Sequence, residues 1–157
     1  MCRIIAPILL LCCLSFSPCR AFDVEDCGSK VGKFETVSLS CDMSKSVCDL
    51  VQGTNATITV DFTIEKDVTQ VKAVVHGIVM DMPIPFPLSN ANACQTPDSG
   101  IKCPLTKGAT YRYQNTLQVM KSYPKVSVTV KWQLVDENDE NIICMLIPAK
   151  VRYHFAK

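Results

Sequence analysis

Residues Val126 to Val135, VSVTVKWQLV, alternate strictly: Val126, Val128, Val130, Trp132 and Leu134 share one parity, and Ser127, Thr129, Lys131 and Gln133 share the other. A period of two belongs to an extended strand with one buried face, because successive side chains leave a strand on opposite sides. Asn55 to Ile64, NATITVDFTI, repeats the pattern, with Ala56, Ile58, Val60, Phe62 and Ile64 against Thr57, Thr59, Asp61 and Thr63. Further strands are predicted at Phe34 to Leu39, Val71 to Met80, Tyr111 to Met120 and Ile142 to Phe155, where Pro148 marks an edge or a bulge. No segment carries an apolar stripe of helical period.

A seventh strand is unusual. DMPIPFPLSN, Asp81 to Asn90, places proline at 83, 85 and 87. Proline fixes its own φ and biases the preceding residue toward extended backbone, so a helix is excluded here. Residues two apart send their N–H groups to the same edge, so these prolines strip one edge of donors and the strand can pair on one side only. Met82, Ile84, Phe86 and Leu88 then share the face opposite the prolines. Turn signals punctuate the strands: DENDEN at Asp136 to Asn141, TPDSG at Thr96 to Gly100 and KG at Lys107 to Gly108. The pattern predicts one all-β domain, an immunoglobulin-like β-sandwich of about seven antiparallel strands.

The first residues, MCRIIAPILLLCCLSFSPCRAF, have an early Arg3, an apolar run from Ile4 to Phe16, and Cys19 and Ala21 at the small-residue positions of a cleavage site. This reads as a secretory signal, residues 1–21, and the run is shorter than the roughly 18 residues a membrane span needs. The domain is then 22–157. Losing Arg3 and Arg20 leaves 14 Lys plus Arg against 15 Asp plus Glu, with no basic stripe, so nucleic acid is not an expected partner. Of ten cysteines, Cys27, Cys41, Cys48, Cys94, Cys103 and Cys144 remain, and six in a secreted chain imply three disulfides. Many pairings are open to six cysteines. Cys41 with Cys48 and Cys94 with Cys103 each bracket a short polar loop, and that choice leaves Cys27 for Cys144.

Catalytic patterns are absent: there is no G-x-S-x-G, no H-E-x-x-H and no phosphate-binding glycine loop. An enzyme is not expected, nor a metal site, since no C-x-x-C occurs and only His76 and His154 could assist. The acidic DENDE run fits a hairpin turn better than a calcium loop. Asn55 begins NAT, a glycosylation sequon. Ile84, Phe86, Val119, Tyr123 and Trp132 form an apolar and aromatic set that suits a solid core. Yet 136 residues exceed the roughly 100 of a minimal sandwich, and the donor-poor proline edge is a place where sheets could part around something apolar.

Longer blocks carry a resemblance: DCGSKVGK at Asp26 to Lys33, KAVVHGIVMDMPIPFPL at Lys72 to Leu88, GIKCPL at Gly100 to Leu105, TYRY at Thr110 to Tyr113, SYPKVSVTVKWQL at Ser122 to Leu134 and IICMLIPAKV at Ile142 to Val151. Together they resemble the Niemann-Pick type C intracellular cholesterol transporter 2 family of secreted and lysosomal sterol carriers, which have the ML lipid-recognition domain. The resemblance covers essentially the whole chain after residue 21. It implies a sandwich with a lipid pocket between its sheets, and the pairing Cys27–Cys144, Cys41–Cys48 and Cys94–Cys103. Sterol-binding positions fall on Ile84 and Phe86, on Val119 and Tyr123 across the entrance, and on Trp132 deeper in. The family often has a tryptophan directly after the last cysteine, where this chain has Met145, a flexible side chain that would reshape the pocket.

The resemblance further implies a non-enzymatic, cofactor-free monomer that carries cholesterol or a related sterol and hands it transiently to a membrane surface or membrane sterol transporter. Its expected setting is extracellular or the endosome and lysosome lumen. The resemblance places the VHGI segment, with His76, Gly77 and Ile78, near the contact surface; a structural histidine at a sheet surface is the alternative for His76. The alternative is a carrier or sensor of other small apolar ligands, such as fatty acids, semiochemicals or microbial lipids. An adhesion or structural domain with a solid core is the third reading.

Overall fold

Every strand predicted from periodicity is present in the computed structural model, which describes residues 22–154. The expected signal, residues 1–21, lies outside the described residues. The strands are β1 (Glu25–Asp26), β2 (Gly32–Leu39), β3 (Cys48–Val51), β4 (Asn55–Ile64), β5 (Lys72–Val79), β6 (Met82–Phe86), β7 (Thr110–Gln118), β8 (Ser127–Val135) and β9 (Asn141–Arg152). One 3₁₀ turn, Pro97–Ser99, interrupts the connection from β6 to β7.

Two sheets face each other. The larger runs β1-β9-β8-β5-β6 with β3 also paired to β9, and the smaller runs β2-β4-β7. Among the described residues the strand number therefore rises from seven to nine. β1 has two exposed residues and β3 only four, too few for an alternation to register. β3 also pairs parallel to β9, so the sandwich is antiparallel everywhere except at this short ladder.

The proline strand behaves as its donors dictate. β6 pairs with β5 through the register His76↔Pro85 and Ile78↔Pro83, and it ends the larger sheet. The β5–β6 turn is a two-residue hairpin, Met80 and Asp81, both at positive φ (49° and 62°), the backbone that matches the twist of the flanking strands. Pro148 sits inside β9, the most central strand. It is tolerated because β1 reaches only to Leu146 and β3 begins at Ala149, so Pro148 occupies a gap on that side, and no bulge occurs there.

All three disulfides are present as Cys27–Cys144, Cys41–Cys48 and Cys94–Cys103, with Cα separations of 5.0, 5.5 and 5.4 Å. The first spans 117 residues, a loop whose closure is worth about 4 to 5 kcal/mol in the chain-entropy account. The acidic run is the β8–β9 turn. Buried Asp136 accepts the Asn138 and Glu140 amides at 2.9 Å each through one oxygen, and pairs with Lys66 Nζ at 2.8 Å through the other. Burial alone would raise the Asp136 carboxyl, but Lys66 and the two amides outweigh it and hold the group below the usual carboxylate range.

Candidate ligand cavity

Side-chain size is graded along the inward faces. On β4 the series from one end to the other is Ala56, Ile58, Val60, Phe62, Ile64, and the last four are buried. On the facing sheet the same end carries Gly77 on β5, Val128 on β8 and Ala149 on β9, whereas the opposite end carries Leu134, Ile143 and Met145. Sheets in a sandwich stack at about 10 Å, and large side chains fill that space while glycine and alanine do not. Small residues from both sheets meet at one end, and a cavity of about 520 Å³ remains there.

Trp132 forms its inner limit. The indole is 2% exposed and lies 6.4 Å, centroid to centroid, from the ring of Tyr113 on the opposite sheet, so the two rings close the gap between the sheets. Burial pushes the Tyr113 hydroxyl up to about 12, against smaller opposing effects of Asn115 and Trp132, so this end stays uncharged at physiological pH. Leu39, Ile58, Val75 and Ile147 make the walls.

The mouth lies between β6 and the loop that follows β7. Ile84, Phe86, Val119, Tyr123 and Trp132, the five residues singled out from sequence, all line this cavity. They differ in depth: Val119 and Trp132 are buried, Phe86 and Tyr123 half-buried, and Ile84 is 53% exposed at the rim. Phe86 and Tyr123 meet edge to face across the opening. Met80, Met82 and Met120 add further exposed apolar surface, Met80 being 88% exposed.

The VHGI segment is divided by strand alternation. His76 and Ile78 share a face with their partners Pro85 and Lys131, Pro83 and Thr129, on the outer side of the larger sheet, although His76 and Pro85 also border the cavity. His76 Nδ1 is buried there without a hydrogen-bond partner. Gly77 lies on the other face, toward the cavity, and a Cβ added to it would stand 3.2 Å from Val128 Cγ2. Met145 departs from expectation: it is fully buried opposite Trp132 in the β8–β9 register, and it is absent from the cavity lining. Sequence reasoning assigned Gly77 to the contact surface and not to the cavity it lines, and it missed Ala56 and Ala149, whose signal was small size at inward positions, and Gln52, which is 6% exposed.

A mostly apolar cavity held open between the sheets of an immunoglobulin-like sandwich, with one aromatic-rimmed mouth, is the architecture of a lipid-binding carrier domain. The ML-domain family model matches residues 21–151. The chain belongs to the ML-domain family and, within it, to the NPC intracellular cholesterol transporter 2 family. It is 50% identical over 133 residues to NPC intracellular cholesterol transporter 2 homolog a of Drosophila melanogaster, covering 84% of this chain and 88% of that one. It is 40% identical over 127 residues to NPC intracellular cholesterol transporter 2 of Bos taurus, covering 81% and 83%. The crystal structure of a Niemann-Pick type C2 protein from Japanese carpenter ant superposes with a TM-score of 0.80 at 40% identity, over 83% of this chain and all of that one.

Proposed function

We propose that the protein is a sterol carrier: it takes cholesterol or a related sterol into the cavity, shields it from water, and delivers it to a membrane or a membrane-bound sterol transporter. The observation that carries this reading is the cavity itself, about 520 Å³ and apolar on nearly every wall. Covering roughly 400 Å² of sterol surface is worth about 10 kcal/mol before association costs reduce it, which suits reversible carriage. Ile84, Phe86, Val119, Tyr123 and Trp132 contact the ligand, and no bond in it is made or broken. Labelled cholesterol should bind the purified protein and be displaced by unlabelled sterol; no saturable binding would end this reading.

Delivery uses the rim. Ile84 and Met120, which line the cavity, are each at least half exposed, as are Met80 and Met82 on the adjoining β5–β6 hairpin. Lys121 and Lys125 on the adjoining loop are exposed and add attraction to anionic lipid, about 1 kcal/mol each near such a surface. His76 and Ile78 extend this contact surface along the outer face. If His76→Ala leaves sterol transfer to anionic vesicles unchanged at both acidic and neutral pH, His76 has no part in it.

Residues 1–21 are the cleaved signal and 22–157 the working monomer. Three disulfides fit an oxidising extracellular or lumenal setting, and we place its action in secretions or the endosome and lysosome lumen. Asn55 is exposed at the start of β4, where a glycan is accommodated. A second reading, carriage of fatty acids or other small apolar ligands, draws on the scarcity of polar groups in the wall to select a sterol hydroxyl. Mass spectrometry of lipid extracted from the native protein separates the two.

A further inference from the structure

Gln52 ties the larger sheet to the middle of the loop that leaves the smaller one through a side-chain hydrogen bond, while Lys125, its Nζ 3.8 Å from the Tyr153 ring centroid, adds a cation–π contact nearer the end of that loop. Its N–H donates to the Arg152 carbonyl at 2.9 Å, which continues the β3–β9 ladder and fixes its backbone to the larger sheet. Its Nε2 donates to the Tyr123 carbonyl at 2.6 Å, across 71 residues of chain, in the loop that leaves the smaller sheet. That loop is anchored at its start, where Gly53 N–H donates to the Val119 carbonyl at 2.6 Å and Val119 N–H to the Thr54 carbonyl at 2.8 Å. It is anchored again where Val151 N–H donates to the Val126 carbonyl at 3.0 Å. Between these anchors, the Gln52 amide holds the middle.

The middle is the part that matters for passage. Tyr123 closes the mouth against Phe86, and Met120 and Pro124 line the cavity beside it. Gln52 is absent from the lining, so it stands behind the loop and out of ligand reach. A buried amide is costly unless it is bonded, and this bond is what its side chain makes. Tyr123 is half-buried at the mouth, so an outward swing of the loop admits water to both the amide and the carbonyl. Exchange of one partner for the other is nearly balanced, so the tie is reversible.

We propose that Gln52 is the latch of the mouth: its amide holds the Met120–Val126 loop shut and sets how fast ligand enters and leaves, without touching the ligand. The ligand's identity rests on the sterol-carrier reading; the latch itself does not. Losing one neutral hydrogen bond shifts an open–closed balance roughly three- to tenfold. Gln52→Ala removes the donor, Gln52→Glu keeps the shape but puts an acceptor against a carbonyl, and Gln52→Lys restores a donor.

Two measurements test this, hydrogen exchange of the Lys121, Ser122, Tyr123 and Lys125 amides in ligand-free protein, and transfer of dehydroergosterol to and from phosphatidylcholine vesicles. In Gln52→Ala and Gln52→Glu, loop exchange, uptake and release should all quicken roughly three- to tenfold, with affinity changed less than about twofold, and Gln52→Lys should return toward the parent. Parent-like loop exchange and transfer in Gln52→Ala overturn the latch, as does faster release matched by an equal loss of affinity. Thermal melts identify a variant that fails to fold, and Gln52→Ala decides if Gln52→Glu does so. If the parent takes up no dehydroergosterol while the loop amides still respond, the sterol reading falls and the latch stands. If the parent carries sterol while the loop does not respond, the latch alone falls.

Discussion

Phe86 and Tyr123 stand edge to face, ring centroids 6.0 Å apart and planes at 79°. One ring is carried by the last strand of the larger sheet and the other by the loop leaving the smaller sheet, so a single aromatic contact bridges the two sheets at the mouth. Such a pair adds about 0.5 to 1.5 kcal/mol beyond the area it buries.

Phe86→Ala removes that contact and one wall of the cavity. Sterol affinity is expected to fall at least about tenfold, as loss of a ligand-facing aromatic plus its partner would give. The melting temperature should drop only a few degrees, because Phe86 is half-buried on an edge strand. A labelled-cholesterol titration beside a thermal melt checks both, and parent-like affinity would remove Phe86 from the site.

Gly77→Val fills the space from within. The added Cβ meets Val128 Cγ2 at 3.2 Å, and the branched methyls extend into the cavity. In a packed core such growth costs about 1 to 3 kcal/mol, but Val128 has an open cavity into which it can shift. Ligand capacity should therefore fall roughly tenfold while the melt moves little. The opposite outcome, lost stability with retained binding, would show that Gly77 abuts packed core.

Met80 occupies a left-handed backbone position, φ 49°, with its side chain almost wholly in solvent. A side chain held there costs about 1 kcal/mol relative to glycine. Met80→Gly should stabilise the protein by about 0.5 to 1 kcal/mol in urea unfolding and slow sterol transfer to vesicles severalfold, since exposed apolar surface at the rim is lost. Faster or unchanged transfer would take Met80 out of the docking surface.

Asp136 sets part of the acid limit. Its carboxyl is lowered in the fold, so its stabilisation is fully present above the unfolded value of about 3.9 and is lost as pH falls through the still lower folded value. Asp26, where burial is outweighed by the Ser29 and Gly28 amides, behaves alike. Stability from these groups should be flat from pH 7 to pH 5 and decline below about pH 4. Asp136→Asn should flatten that acid decline in a pH series of melts; an unaltered decline would assign it to other carboxylates.

Much of the architecture was legible because strand periodicity is a local property. The alternation in Asn55 to Ile64 identified β4 to the residue, and the prolines at 83 and 85 identified an edge strand. β1 and β3 were not legible: each owes its existence to backbone pairing with β9, and four or fewer residues carry no pattern of their own. The cavity residues were recognised through family blocks. Alternation told which side chains face inward but was silent on whether they meet packing or space.

The sequence by itself determined the inward and outward faces, the one-sided pairing of the proline strand and the cysteines available for three bridges, since each follows from a residue and its near neighbours. Only the tertiary structure decided that Ala56, Gly77 and Ala149 converge while Phe62, Leu134 and Met145 fill the other end. It also decided that Gln52 reaches Tyr123. Those outcomes depend on the register between strands tens of residues apart, and a shift by one residue would turn each of these side chains to the opposite face.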